Sequence, residues 1–201
     1  MPLYNSVQQL LSGPKFLTGS FYDYGAFIQP GIRPLLQNGA ALTANTIYYF
    51  PVPVTQTFTC ATLNLRVTTN VAASNFRMGW YTDTNTLLGH YTQPASLVTG
   101  SDGGALSGAT TGNKQATLTN CVLYAGNWYW LALVTDAALG FHTWNGAGTP
   151  DLGRTSAGSS TFMTCYTQSY TFAALPPSAS PTLTLTNYPT SSAAPRFEVG
   201  I

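Results

Sequence analysis

Charge is what this sequence has least of. Asp, Glu, Lys and Arg together make up 6% of its 201 residues, against about 25% in an ordinary globular chain. Solubility therefore rests on hydroxyl and amide groups. The weak self-repulsion suits a protein packed into an assembly better than one dispersed at high concentration. The seven basic residues, Lys15, Arg33, Arg66, Arg77, Lys114, Arg154 and Arg196, are scattered. Nucleic-acid binding needs clustered cations that release counterions from phosphate, so no nucleic-acid partner is expected.

Long apolar runs are missing too. The longest are of strand length, and the opening MPLYNSVQQLLSGPK has neither a charged leading segment nor a continuous apolar one. Neither an export signal nor a membrane span is expected. Cysteine and histidine are scarce: Cys60, Cys121 and Cys165 show no CxxC spacing, and only two histidines could help them, which argues against zinc. The thiols read as small buried hydrophobes in a reducing cytosol, with one disulfide or an intermolecular bond as the alternative.

Material for catalysis is equally thin. None of the six acids is paired with another at close spacing. Asp136 and Glu198 could meet in the fold as a glycosidase pair, but isolated surface carboxylates are far commoner than an acid and base pair. No GxSxG accompanies His90 or His142, so a serine triad lacks its nucleophile turn. Asp83-Thr84-Asn85 and Ser101-Asp102-Gly103 put hard oxygens on turns, yet neither has the spaced acids of a calcium loop; backbone-bonding turn chemistry explains both. The expectation is a protein that is not an enzyme and holds no cofactor or metal.

What is present is aromatic and β-forming. Aromatics reach 13%, and a single domain of this length can bury roughly 70% of its unfolded surface. The stretch Cys121 to Thr135, CVLYAGNWYWLALVT, organises the rest. Trp128, Trp130 and Ala132 alternate with Tyr129, Leu131 and Leu133, so both faces of this strand are apolar. It belongs at the centre of a sandwich or in an oligomer interface.

Around it the chain divides into an arm, residues 1–45, and a β-domain, residues 46–201. Gly and Pro interrupt the arm too often for a long helix. From Thr46 the strands begin. Pro51 and Pro53 push part of the first to a sheet edge. Phe58 and Cys60 share one parity and Leu63, Leu65 and Val67 the other, so a bulge near Ala61-Thr62 keeps one face inward. Phe76, Met78 and Trp80 alternate with Arg77, Gly79 and Tyr81. Residues 99–113 read as an exposed Gly-rich loop, and Leu175-Pro176-Pro177 as a break before short closing strands. About seven or eight strands separated by turn signals read as an all-β fold: a jelly-roll-like β-sandwich with an extended, mostly irregular N-terminal arm.

Two sets of residues carry functional expectations. In Phe141-His142-Thr143-Trp144-Asn145 an aromatic face beside His142 and Asn145 could stack on a sugar ring and address its hydroxyls, making His142, Trp144 and Asn145 candidate ligand contacts. The competing reading has Trp144 folded down as a core plug or against a neighbouring subunit. Phe16, Phe21, Tyr22, Tyr24 and Phe27 of the arm lie in a segment too broken to build its own core. Left exposed they would form a patch this low-charge surface could not keep soluble, so they are candidate contacts for a symmetric oligomer or for attachment.

Several stretches, in this order, resemble a known family. Ala44-Asn45-Thr46-Ile47-Tyr48-Tyr49-Phe50-Pro51-Val52 is followed by Asn64-Leu65-Arg66-Val67-Thr68-Thr69 and by Arg77-Met78-Gly79-Trp80-Tyr81-Thr82-Asp83. Then come Ala125-Gly126-Asn127-Trp128-Tyr129-Trp130-Leu131-Ala132, Phe172-Ala173-Ala174-Leu175-Pro176 and Pro195-Arg196-Phe197-Glu198-Val199. Together they look like the small virion proteins and tail-fibre modules of tailed bacteriophages that carry a jelly-roll-like β-sandwich. Each motif encodes strands and turns rather than chemistry, and the shared order carries the likeness. The resemblance implies a virion structural protein on the particle surface, such as a capsid decoration protein or short fibre component. It would be made in the host cytoplasm, often be a homotrimer, and be partnered by capsid or tail proteins. Some such proteins touch host surface glycans, so a receptor-binding tip is the alternative. The family implies no catalytic residues, and the arm has no counterpart in its pattern.

Overall fold

The computed structural model describes residues 21–23, 36–39, 41–54, 57–84, 92–144, 164–186 and 194–200. In chain order its strands are β1 (Phe21–Asp23), β2 (Leu36–Asn38), β3 (Thr46–Pro53), β4 (Phe58–Thr69), β5 (Asn75–Asp83), β6 (Pro94–Leu97), β7 (Leu106–Ser107), β8 (Gly112–Leu123), β9 (Trp128–Thr135), β10 (Gly140–Trp144), β11 (Cys165–Ser169), β12 (Thr184–Thr186), β13 (Ala194–Pro195) and β14 (Phe197–Gly200). All regular structure among the described residues is β, and every pairing of these strands is antiparallel. Among the described residues no helix is long and apolar enough to cross a membrane. Sheet 1 comprises β1, β2, β4, β8, β10, β13 and β14; sheet 2 comprises β3, β5, β6, β7, β9, β11 and β12.

The main core lies between the sheets. Leu63, Leu65, Val67, Phe141 and Phe197 of sheet 1 meet Phe50, Phe76, Met78, Trp80, Leu131 and Leu133 of sheet 2 in one buried cluster. Two ring pairs cross the gap, Phe50 with Phe197 at 6.0 Å and Phe76 with Phe141 at 5.3 Å between centroids. Such inclined pairs add a little to what area burial already contributes. The parity change along β4 is accommodated as expected: the register with β8 shifts between Cys60 and Thr62, so Cys60, Leu63, Leu65 and Val67 all stay buried. The prolines of β3 also sit where their missing donors do least harm. β9 pairs with β3 from Ile47 to Pro53, but β11 pairs only with Thr46–Tyr49, so the proline half has no described strand on that side.

The second face of β9 is covered by the chain itself. Trp130, Ala132 and Val134 point away from the main core, join Ile47, Tyr49, Tyr81 and Leu175 in a second buried cluster, and receive Tyr166, Tyr170, Phe172 and Leu183 on top. The covering segment, residues 170–183, has no strand of its own and is tied down by single bonds. Leu175 N donates to Asp102 Oδ2 at 3.0 Å, Tyr81 Oη to the Pro176 carbonyl at 2.6 Å, and Leu97 N to the Pro177 carbonyl at 2.9 Å. Asn45, held at φ 57, clasps its start by accepting from Tyr170 N and Phe172 N. A neighbouring subunit is therefore not required to cover β9, which removes one of the two arguments for an oligomer.

The stretch 99–113 is less exposed than its glycines suggested. Ser101 is fully buried, its Oγ accepting from Trp80 N at 3.1 Å and donating to the Trp80 carbonyl at 2.9 Å. Gly100, at φ 72, has its Cα so near the Thr119 carbonyl that no side chain would fit. Within the arm, β1 pairs with β14 and β2 with β10, and Leu42 is 1% exposed in the main core. Phe16, Tyr24 and Phe27 lie outside the described residues, and Phe21 and Tyr22 are described by backbone alone.

Candidate functional site

Sheet 1 forks. β10 pairs with β4 only through Gly140 and Phe141 and then parts from it. The C-terminal strand enters the gap: β13 registers Pro195 and Ala194 against Thr143 and Trp144 of β10, whereas β14 registers Phe197–Gly200 against β4. Arg196 stands at the branch point, its N–H donating to the His142 carbonyl at 2.9 Å. Pro195 suits the neighbouring position because it has no donor to satisfy.

The alternation of these strands decides what the fork presents. Leu65 and Val67, Phe141 and Thr143, Phe197 and Val199 are buried, so Arg66, His142 and Glu198 fall on the opposite face. Arg196 Nη2 meets Glu198 Oε1 at 2.8 Å, and both side chains are partly exposed. Asn64 Nδ2 donates to the Glu198 carbonyl at 3.5 Å. Arg66 is exposed and has no ion pair among the described residues. Partial desolvation, and then the Arg66 and Arg196 guanidiniums, hold the His142 pKa below its ordinary value. At neutral pH the fork thus offers a neutral imidazole, the Arg66 guanidinium, which has no ion pair among the described residues, and the Arg196 guanidinium paired with Glu198. β8 extends the polar surface, with Asn113 opposite Arg66, Gln115 opposite Asn64 and Thr117 opposite Thr62.

This arrangement can donate and accept hydrogen bonds and can attract an anion. Its one carboxylate is held by Arg196. The other acids whose side chains are described are likewise engaged. Asp83, 5% exposed, accepts from Trp130 Nε1 at 2.6 Å and from Thr92 N and Oγ1. Asp102 accepts two contacts from Arg77, at 3.0 and 2.9 Å, together with the amides of Gly104 and Leu175. Asp136 fastens the start of β5 through Asn75 N at 2.7 Å and Nδ2 at 3.0 Å. Asp136 and Glu198 are therefore bound to different partners. Among the described residues no three His, Cys, Asp or Glu side chains converge as metal ligands.

Of the three residues expected to contact a ligand, His142 lies in the fork. Trp144 is two residues further along β10, registered with Leu36 and Ala194, and is described by backbone alone; Asn145 lies outside the described residues. Sequence reasoning missed Arg66, Arg196, Asn64 and Glu198 as companions of His142. Each occupied an outward position of a recognised strand, but only the long-range pairing of β4, β10 and β14 brings them together.

The chain matches no protein-family model, and no curated protein matches it.

Proposed function

We propose that this chain is a non-enzymatic structural protein on the outer surface of a tailed-bacteriophage particle, either a capsid decoration protein or a short fibre component. It is made in the host cytoplasm, carried in the virion as a homotrimer, and built as a jelly-roll-like sandwich. One observation carries the reading: each acid whose side chain is described is engaged in a bond that holds the fold, Asp83 to Trp130, Asp102 to Arg77, Asp136 to Asn75 and Glu198 to Arg196. A carboxylate that serves as acid or base must be free to move a proton, whereas a scaffold needs its few acids tied down. The low charge of the surface and the order of the strand motifs support the same reading, as do the two antiparallel sheets around a common core. Quantitative mass spectrometry of washed particles tests it. The chain should appear at a fixed ratio to the major capsid or tail protein, and its absence from particles would refute the proposal.

The fork favours a second reading, a glycan- or receptor-binding tip. Arg66, with no ion pair among the described residues, beside a neutral His142 on an amide- and hydroxyl-bearing face is suited to a sugar carrying a carboxylate. Saturable binding of an acidic saccharide that weakens at least tenfold in Arg66→Gln supports this reading; equal binding by both proteins removes it.

A further inference from the structure

The fold makes the three cysteines unequal. Cys60 of β4 and Cys121 of β8 are register partners, and both are fully buried. Partners across an antiparallel ladder have Cα atoms about 4.5 or 5.5 Å apart, inside the roughly 4.4–6.8 Å that a disulfide spans. Both side chains belong to the cluster between the sheets, so they leave their strands on the same face. Cys60 Sγ donates to the Thr62 carbonyl at 3.5 Å. Cys165 sits apart in sheet 2, registered with Thr186, whose carbonyl its Sγ contacts at 3.8 Å.

We propose that Cys60 and Cys121 form a latent redox site, in which a peroxide closes one intramolecular disulfide that pins β8 to β4 and leaves Cys165 a thiol. Cys60 is the attacking sulfur, because the ladder is interrupted directly beside it, between Cys60 and Thr62. The neighbouring Cys121 thiol also holds its pKa below the ordinary value against the opposing effect of burial. Proximity to Cys60, and then burial, push the Cys121 thiol up, and burial, opposed by Thr164, pushes Cys165 up to about 12.

The Cys60 sulfur attacks one peroxide oxygen and the O–O bond breaks. Cys60 becomes a sulfenic acid, and the departing hydroxide takes the proton that Cys60 released, leaving as water. The Cys121 sulfur then attacks Cys60 Sγ, the S–O bond breaks, and the hydroxide leaves with the Cys121 proton as a second water. Two thiols and one peroxide yield one disulfide and two waters. A small oxidant has a route in: Thr119 and Asn120 beside the pair are exposed, Asn120 is held at φ 54, and the ladder is interrupted between Cys60 and Thr62. Local opening at an interrupted ladder needs less than global unfolding. Among the described residues β8 pairs with β4 alone, so this bond adds a covalent tie across its one ladder.

The test takes the reduced full-length chain and treats it, folded, with hydrogen peroxide, then catalase, denaturant and iodoacetamide. Alkylation should fall from three sites per chain to one. The intact mass should drop by two hydrogens before alkylation, and a peptide map should join the segments carrying Cys60 and Cys121. The melting midpoint should rise on the order of 10 °C, reversibly with a reductant. Cys121→Ser should form no internal link under the same treatment. Three sites still alkylated, a link that includes Cys165, or Cys60 oxidised to the sulfinic acid without a link would each overturn the proposal. If Cys121→Ser fails to fold, the wild-type peptide map decides alone.

Discussion

The outer faces of the two sheets have opposite characters. On sheet 2 that face is apolar, with Trp130, Tyr49 and Tyr81 fully buried under residues 170–183. On sheet 1 it is a polar fork of Arg66, His142, Arg196 and Glu198. The difference shows how a chain with few charges divides its surface: it closes one apolar face with its own late segment and leaves the other polar. It also separates tasks. The face closed by many contacts is committed to stability, and the face with few internal bonds is the one available to a ligand or partner.

The largest expected effect comes from breaking the closed face. Trp130→Ala removes a fully buried side chain and the indole donor of buried Asp83, and should cost about 3–5 kcal/mol in urea denaturation. His142→Ala on the open face should stay within roughly 0.5 kcal/mol. Equal losses would erase the contrast. Gly79→Ala comes next. A Cβ there would lie 2.5 Å from Leu175 Cδ1 and 3.0 Å from the Ser101 carbonyl, so the cover must shift, at about 1–3 kcal/mol. Hydrogen exchange should rise at the amides of Leu175 and Ala179, which hold that segment through Asp102 and the Ala95 carbonyl.

Smaller still is Tyr81→Phe, which loses the 2.6 Å bond to the Pro176 carbonyl, worth about 1 kcal/mol. Burial pushes both the Tyr49 and Tyr81 phenols above their ordinary range. The neutral phenols are thus favoured by the fold. Their contribution is fully present below pH about 10 and is lost as pH rises through the folded-state values. An ultraviolet titration should show two tyrosines ionising late, together with unfolding. Least visible in stability is Arg66→Gln, expected within roughly 0.5 kcal/mol of wild type. Its signal is electrostatic: the His142 midpoint, read by NMR, should move up toward 6.5. In the wild type the depressed value means that His142 contributes stability above about pH 6.5 and loses it as pH falls through the folded midpoint.

The strands were legible where local alternation decides them. The parity change at Ala61-Thr62, the edge prolines of β3 and the doubly apolar β9 could all be read residue by residue, because burial on a strand repeats every two positions. What covers β9 could not. Residues 170–183 have no periodicity, and Leu175-Pro176-Pro177 signalled only a break, whereas in the fold the two proline carbonyls accept from Tyr81 and Leu97. Ser101 and Asp83 read as turn residues for the same reason: their burial depends on strands distant in sequence. Of the fork's four side chains, only His142 was visible as a candidate contact. The rest depends on which strands pair, and scattered single arginines carry no local trace of that.

The most direct test of the contrast is hydroxyl-radical footprinting of the isolated full-length chain beside its denatured form. The account predicts that Trp130, Tyr49 and Tyr81 are strongly protected in the folded chain while His142 reacts nearly as fast as when denatured. If Trp130 and Tyr81 react at denatured rates in an otherwise folded protein, the chain does not close its own face, and a partner must be sought on sheet 2 instead.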